Sequence, residues 1–242
     1  TNGSGDDFDQ LAANLNRMLE RIEGLMAAVR QVSDNIAHDL RTPLTRLRTR
    51  LELAQAADPR QAREEVDQAV EDAEELLATF NALLRIARIE SGSRRSAFAT
   101  FDRAGLVRDV GELYEPLAAD KGQRRTVKAE REIPIRGDRD LLFQALTNLV
   151  DNAIKYTPEG GRVILAATTS GQGPQVVVAD TGPGIPPELR EKVFQRFFRA
   201  DNSRATPGNG LGLSLVRAVA DLHGASVRLE ENDPGLRVVL RF

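Results

Sequence analysis

The sequence predicts a multidomain chain: an all-α antiparallel helical hairpin that pairs into a dimeric four-helix bundle, followed by an α+β two-layer sandwich. Three observations predict it. Leu11, Leu15, Met18, Ile22, Leu25, Val29, Val32 and Ile36 step by fours and threes without an apolar miss, which is the seam of a coiled coil. Two long helical patterns are separated only by a short turn at Asp58-Pro59, and a short connection makes them antiparallel neighbours. After about residue 97, β-branched runs with Gly and Pro punctuation mix irregularly with helical patterns, as in a layered α+β fold.

Thr1–Gly5 is small and polar and reads as a linker. The first helical stripe changes phase after Ile36 and continues as Leu40, Leu44, Leu47 and Leu51. Pro59 opens the second helix, since proline suits the first helical turn and disfavours helix in the residue before it. Its stripe is Val66, Val70, Ala73, Leu77, Phe80, Leu84 and Ala87, and Ser91-Gly92-Ser93 stops it. Each helix carries more apolar surface than one neighbour covers, so the bundle takes a second copy. Beyond a boundary near Ser91–Ala97, strands are expected at Arg125–Glu130, Arg162–Thr169, Gln175–Asp180, Ala225–Glu230 and Gly235–Phe242. Helices are expected at Arg103–Lys121, Arg139–Tyr156 and Leu211–His223.

The 242 residues are 41% hydrophobic and 29% charged with a net charge of −3, which describes a globular chain and argues against a nucleic-acid binder. Without cysteine there is no disulfide, thiolate metal site or Cys nucleophile. The two histidines, His38 and His223, leave little for a His-rich metal site. No apolar run reaches the ~18–20 residues of a membrane span.

Four constellations carry chemistry. His38 lies ~200° from Ile36 around the helix, while Leu40, Leu44, Leu47 and Leu51 cluster within ~80° of Ile36, so the imidazole points away from the seam. Asp39 can orient it, and Pro43 removes a helical N–H one turn below; a purely structural kink is the alternative. Asn148, Asn152 and Lys155 share one face of the Arg139–Tyr156 helix, opposite Leu142, Ala145, Leu146, Leu149, Ala153 and Ile154. An amide oxygen suits Mg²⁺ and a lysine suits phosphate; a solvated polar face is the alternative.

Val176-Val177-Val178-Ala179-Asp180-Thr181-Gly182-Pro183-Gly184 ends a buried strand in a carboxylate, which can accept a hydrogen bond from an amine such as that of adenine; a plain Asp-Gly turn is the alternative. Gly208-Asn209-Gly210-Leu211-Gly212 opens a helix whose N–H groups suit phosphate. Ahead of it stand Phe194–Arg199 and a polar segment, Ala200–Asn209, read as a lid or as an interaction patch. His223-Gly224 reads as a helix stop.

Together, and in this order, these motifs resemble the sensor histidine kinases of bacterial two-component signalling. Ile36–Leu44 looks like the family's phosphoacceptor box, Asn148–Tyr156 its N box, Asp180–Gly184 and Gly208–Leu213 its two glycine boxes, and Phe194–Phe198 its F box. The opening coiled coil resembles the last helix of a HAMP signal-transfer module, truncated on its N-terminal side. The resemblance implies a partial HAMP coiled coil over 1–30, a dimerisation and histidine-phosphotransfer domain over 31–96, and an ATP-binding domain over 97–242.

It further implies that Asn148 ligates Mg²⁺, that Asn152, Lys155 and Tyr156 line the ATP site, and that Asp180 reads the adenine amine. Gly182, Gly184, Gly208, Gly210, Leu211 and Gly212 would shape the pocket and lid, with Arg199 at the γ-phosphate. His38 would take the phosphoryl group with Asp39 as base or orienter, and Thr42 would serve dephosphorylation of the regulator. The implied partners are a second copy and a separate response regulator with a receiver domain. The implied location is the cytoplasmic side of the inner membrane, with any membrane segment lying before Thr1. A nucleotide-hydrolysing Hsp90-like relative and an inactive scaffold are the competing readings. The His38 box argues against the first, and intact Asn148, Asn152, Asp180 and glycine boxes argue against the second.

Overall fold

The computed structural model describes residues 44–90, 98–129, 134–171, 173–200 and 209–242. The heptad run from Leu11 to Ile36 lies outside the described residues, as do His38, Asp39, Thr42, Pro43, Gly208 and all of the polar segment between Ala200 and Asn209. The chain divides into two compact units between Ala87 and Arg88.

In the first unit, α1 (residues 44–56) and α2 (Pro59–Glu90) form the hairpin. Asp58 starts α2 by accepting at Oδ1 from the N–H groups of Arg60 and Gln61 at 2.9 and 3.1 Å, a cap worth about 0.5–2 kcal/mol. Arg50 pairs with Glu65 at 3.4 Å and Arg46 with Asp72 at 3.3 Å. Partners that recede from the turn in opposite directions make the pair antiparallel. The buried stripe of α2 runs through Ala69, Asp72, Thr79, Leu83 and Ile86. The neighbouring stripe stays open: Val66, Val70 and Leu77 are 45%, 54% and 59% exposed, and Leu44 and Leu51 of α1 are exposed as well.

In the second unit, β1 (Ala99–Asp102) pairs antiparallel with β3 (Pro134–Gly137). The main sheet has the order β2-β4-β5-β7-β6, built from Arg124–Lys128, Arg162–Ser170, Gly173–Asp180, Leu236–Arg241 and Ser226–Glu231. Among the described strands only β2 and β4 run parallel. Helices α3 (Arg103–Leu113), α5 (Arg139–Tyr156) and α6 (Gly212–Leu222) make the second layer, and α4 (Glu115–Asp120) follows α3. Val163, Leu165, Val176, Val178, Val238 and Leu240 are buried, as are Leu142, Leu146, Leu149, Val216 and Val219 of the helices.

Two expectations are corrected. The helix expected over Arg103–Lys121 is two helices broken at Tyr114, because Pro116 has no N–H and its ring collides with the carbonyl one turn back. Strands β1 and β3 were not anticipated. Both are four residues long, too short for a period-2 pattern to register.

Candidate functional site

Helix α5 carries the site's polar line because its opposite face is committed to the core. Asp138 caps it through Oδ1 to the N–H groups of Asp140 and Leu141, both at 3.1 Å. At the far end, Lys121 Nζ donates to the carbonyls of Ile154 and Lys155 at 2.6 and 2.8 Å, and Gln123 Nε2 donates to those of Ile154 and Thr157 at 2.9 and 2.6 Å. Both ends of the helix are therefore fixed, and with them the half-buried Asn148, Asn152, Lys155 and Tyr156. Lys121 and Gln123 were not singled out from the sequence, because they act 31 to 34 residues away.

Asn148 donates through Nδ2 to the Gln144 carbonyl at 3.0 Å, and its Oδ1 accepts no hydrogen bond among the described residues. That oxygen faces the start of α6: a Cβ on Gly212 would stand 3.2 Å from it and 3.8 Å from Asn152 Nδ2. Helix α6 opens at Leu211 with no side-chain cap bond from that residue, which leaves N–H groups of the first turn for an anion. Leu211 itself is 2% exposed, so any part it takes in the site is through its backbone. Gly210 packs on the main chain of Phe197, whose N–H donates to the Gly210 carbonyl at 3.1 Å.

Lys155 and Arg199 are close enough to interact. Burial pushes the Lys155 ammonium down; the Asp151 carboxylate opposes this and the Arg199 guanidinium adds to it. Lys155 stands in the last turn of α5, one turn beyond Asn152, and two cations that feel each other's charge there suit a polyanion.

Asp180 ends β5 and is 8% exposed. Its Oδ1 accepts from the N–H groups of Gly182 at 2.8 Å and Leu236 at 3.3 Å, while Oδ2 accepts no hydrogen bond among the described residues. Burial pushes its carboxyl up, and those two N–H groups hold it back. Gly182 is required by crowding: a Cβ there would stand 2.9 Å from the Tyr156 carbonyl and 3.0 Å from Asp180 Oδ1. Gly184 rests on the Gly235 carbonyl in the β6–β7 turn.

The structure thus brings Asn148, Asn152 and Gly212 together, Tyr156 with Gly182 and Asp180, and Lys155 with Arg199. His38, Asp39, Thr42 and Gly208 lie outside the described residues. No group of three or more His, Cys, Asp or Glu side chains able to hold a metal occurs among the described residues. A lone neutral amide oxygen fits Mg²⁺ that arrives with phosphate oxygens as its other ligands. His223 is no cation at a helix end: its Nδ1–H donates to the Val219 carbonyl at 2.7 Å and its Nε2 accepts from the Asp138 N–H at 2.9 Å, a pattern open only to the neutral ring. Its place as a helix stop holds, with Gly224 following at φ +65°.

Residues 137–242 match the family described as histidine kinase-, DNA gyrase B- and HSP90-like ATPase. Residues 28–92 match the His Kinase A (phospho-acceptor) domain. The catalytic domain of the histidine kinase ThkA is 31% identical, with a TM-score of 0.53 over 59% of this chain and 95% of that one. The chain belongs to the bacterial sensor histidine kinases. Among curated members of this family, the sensor protein IrlS of Burkholderia pseudomallei is 33% identical over 96% of this chain and 50% of its own length. The kinase/phosphatase MprB of Mycobacterium sp. (strain KMS) is 36% identical over 95% and 45%.

The chain spans about half the length of the curated relatives it matches. Full-length ShkA in complex with AMPPNP is 29% identical, with a TM-score of 0.60 over 87% of this chain and 45% of that one. ThkA in complex with the response regulator TrrA shares the fold at a TM-score of 0.66 and 23% identity, over 94% of this chain and 65% of that one. Asn148, Asn152, Asp180 and Gly212 fall inside the ATPase match and His38 inside the phosphoacceptor match.

Proposed function

We propose that this chain is the signalling portion of a sensor kinase, which phosphorylates His38 from ATP and passes the phosphoryl group to an aspartate of a separate response regulator. The observation that carries the reading is a pair of oxygens in the second unit that accept no hydrogen bond among the described residues. Asn148 Oδ1 is available to a metal beside the N-terminus of α6, and Asp180 Oδ2 is available to an amine at the end of β5. In this reading, Asp180 and Gly182 take the adenine, Gly184 shapes the adenine loop, and Asn152, Lys155, Tyr156 and Arg199 line the nucleotide and its phosphates. Gly208, Gly210, Leu211 and Gly212 would shape the pocket and lid.

Mg²⁺, held by Asn148, would neutralise charge on the transferring phosphate. An imidazole nitrogen of His38 bonds to the γ-phosphorus as the bond to the ADP oxygen breaks, and Asp39 orients the ring or receives its proton. Positioning and charge carry such transfers.

The remaining elements follow from the same reading. Residues 1–30 are the signalling coiled coil, 31–96 the dimerisation and phosphotransfer domain, and 97–242 the ATP-binding domain. The open stripe of Val66, Val70 and Leu77 supports pairing with a second copy. The ThkA–TrrA assembly supports a regulator partner, and the printed name of MprB, a kinase/phosphatase, supports a reverse activity; its assignment to Thr42 rests on the sequence resemblance alone. No helix among the described residues is long and apolar enough to cross a membrane, and a location on the cytoplasmic side of a membrane rests on the sensor relatives.

The test is incubation with γ-labelled ATP, then addition of a receiver domain. The reading expects an acid-labile, base-stable protein label that moves to the receiver. Release of free phosphate with no labelled protein would indicate an ATPase, and no turnover at all would indicate a scaffold.

A further inference from the structure

We propose that the β6–β7 turn, acting through Asn232, positions the Asp180 carboxylate and thereby sets the site's preference for adenine over other bases. This rests on the reading of Asp180 as the residue that meets the base. Asn232 is on no motif and touches no candidate ligand position, yet three contacts from its turn converge on Asp180. Asn232 Nδ2 donates to the Asp180 carbonyl at 2.6 Å. Leu236, the first residue of β7, gives its N–H to Asp180 Oδ1 at 3.3 Å, so a strand amide holds a side chain rather than a main-chain carbonyl. Gly235 lies so close that a Cβ would stand 1.9 Å from the Asp180 carbonyl oxygen. No other residue fits there.

These contacts fix a direction. The peptide unit joining Asp180 to Thr181 is held at its N–H end by the Arg162 carbonyl at 3.1 Å and at its C=O end by Asn232. The next peptide unit carries the Gly182 N–H, and only the φ and ψ of Thr181 separate the two units. Thr181 is itself anchored because its Oγ1 accepts from the Arg162 N–H at 2.9 Å, so the held Asp180 peptide steadies the Gly182 N–H that pins Oδ1 at 2.8 Å. With Oδ1 pinned by Gly182 and Leu236, the free Oδ2 has one direction left. Asn232 also donates its own N–H to the Gly235 carbonyl at 3.2 Å, so the residue that steadies the Asp180 carbonyl also closes the turn that supplies Leu236. Removing its side chain releases one end of the peptide and lets Oδ2 wander, without removing any group that touches nucleotide. Asn232 is therefore a positioning residue.

The test uses the full chain with Asn232→Ala and Asn232→Asp, and Asp180→Asn as reference. Dissociation constants for Mg-ATP and Mg-GTP are measured by calorimetry, beside the autophosphorylation rate at saturating ATP. Asn232→Ala is expected to weaken ATP about tenfold and GTP less than about twofold, leaving the saturating rate within about twofold of wild type, as for lost binding rather than lost transition-state contact. Asn232→Asp keeps the shape but turns an acceptor towards the carbonyl, and is expected to be no better. Equal weakening of ATP and GTP, or a fall in rate with unchanged affinity, would mean a merely structural asparagine and overturn the proposal. If Asp180→Asn collapses the ATP preference while both Asn232 variants keep it, the positioning claim alone is wrong. If Asp180→Asn keeps the preference, the reading of Asp180 fails and the proposal with it.

Discussion

Asp180→Asn separates the fold of the second unit from its chemistry. The asparagine keeps an oxygen for the Gly182 and Leu236 N–H groups, which reach Oδ1 at 2.8 and 3.3 Å, so both backbone donors stay satisfied. Its amide nitrogen then replaces Oδ2, the oxygen that accepts no hydrogen bond among the described residues. A buried carboxyl that burial has pushed up becomes a neutral group, and the fold loses nothing; it stays as stable as wild type or gains. Binding does lose.

A hydrogen bond to a charged partner contributes about 1.5–3 kcal/mol, and every ~1.4 kcal/mol is tenfold in affinity. The Mg-ATP dissociation constant should therefore rise roughly 10- to 150-fold, because a donor now faces the base amine. Asp180→Ala would do more, since it strands two buried N–H groups at about 1–3 kcal/mol each. Calorimetry for affinity and a thermal melt for fold are run on the same preparation. An Asp180→Asn protein with wild-type ATP affinity refutes the pocket, and one that unfolds refutes the claim that its backbone donors stay satisfied.

Three further outcomes follow. Leu77 is 59% exposed within one copy, so Leu77→Asp is harmless to a monomer, whereas in a paired bundle it buries a charge at a cost of several kcal/mol; light scattering should find a wild-type dimer that the variant loses, and a monomeric wild type would end the bundle reading. Burial pushes His223 down from its ordinary 6.5, so its contribution to stability is full above 6.5 and is lost as pH falls from there towards the folded value. An NMR titration of His38→Gln, which leaves His223 as the sole imidazole, checks this, and a titration above 6.5 contradicts it. Thr42→Ala should keep most autophosphorylation while slowing regulator dephosphorylation at least about tenfold, a barrier change of ~1.4 kcal/mol; equal losses in both rates would make Thr42 structural.

What could be read from the sequence was what local pattern encodes. The polar line of Asn148, Asn152 and Lys155 was legible because 3.6-residue periodicity separates it from a contiguous apolar face that is buried as expected. Asp58-Pro59 was legible because capping is local. The stripe of Val66, Val70 and Leu77 was legible as apolar, yet α2 buries the stripe one residue over, at Ala69, Leu83 and Ile86 with the polar Asp72 and Thr79 between them. Asp72 is drawn there by Arg46 and Arg50 of α1, a partner choice that periodicity within α2 does not encode. The contacts that aim Asp180 were not legible. Asn232 acts across 52 residues and Leu236 across 56, and no spacing rule links a turn asparagine to a distant strand end. The role of His223 was half legible: Gly224 marks the helix stop, but the bond to Asp138 spans 85 residues.

The most direct measurement compares wild type with His38→Gln under γ-labelled Mg-ATP, with nucleotide affinity measured in parallel. A covalent label that survives base and not acid is expected on the wild type, mapped to the peptide containing His38. No label is expected on the variant, whose ATP affinity is unchanged because Asn148 and Asp180 belong to the other unit. A label that persists in the variant would place the acceptor elsewhere, and a variant that no longer binds ATP would contradict the division of labour between the two units.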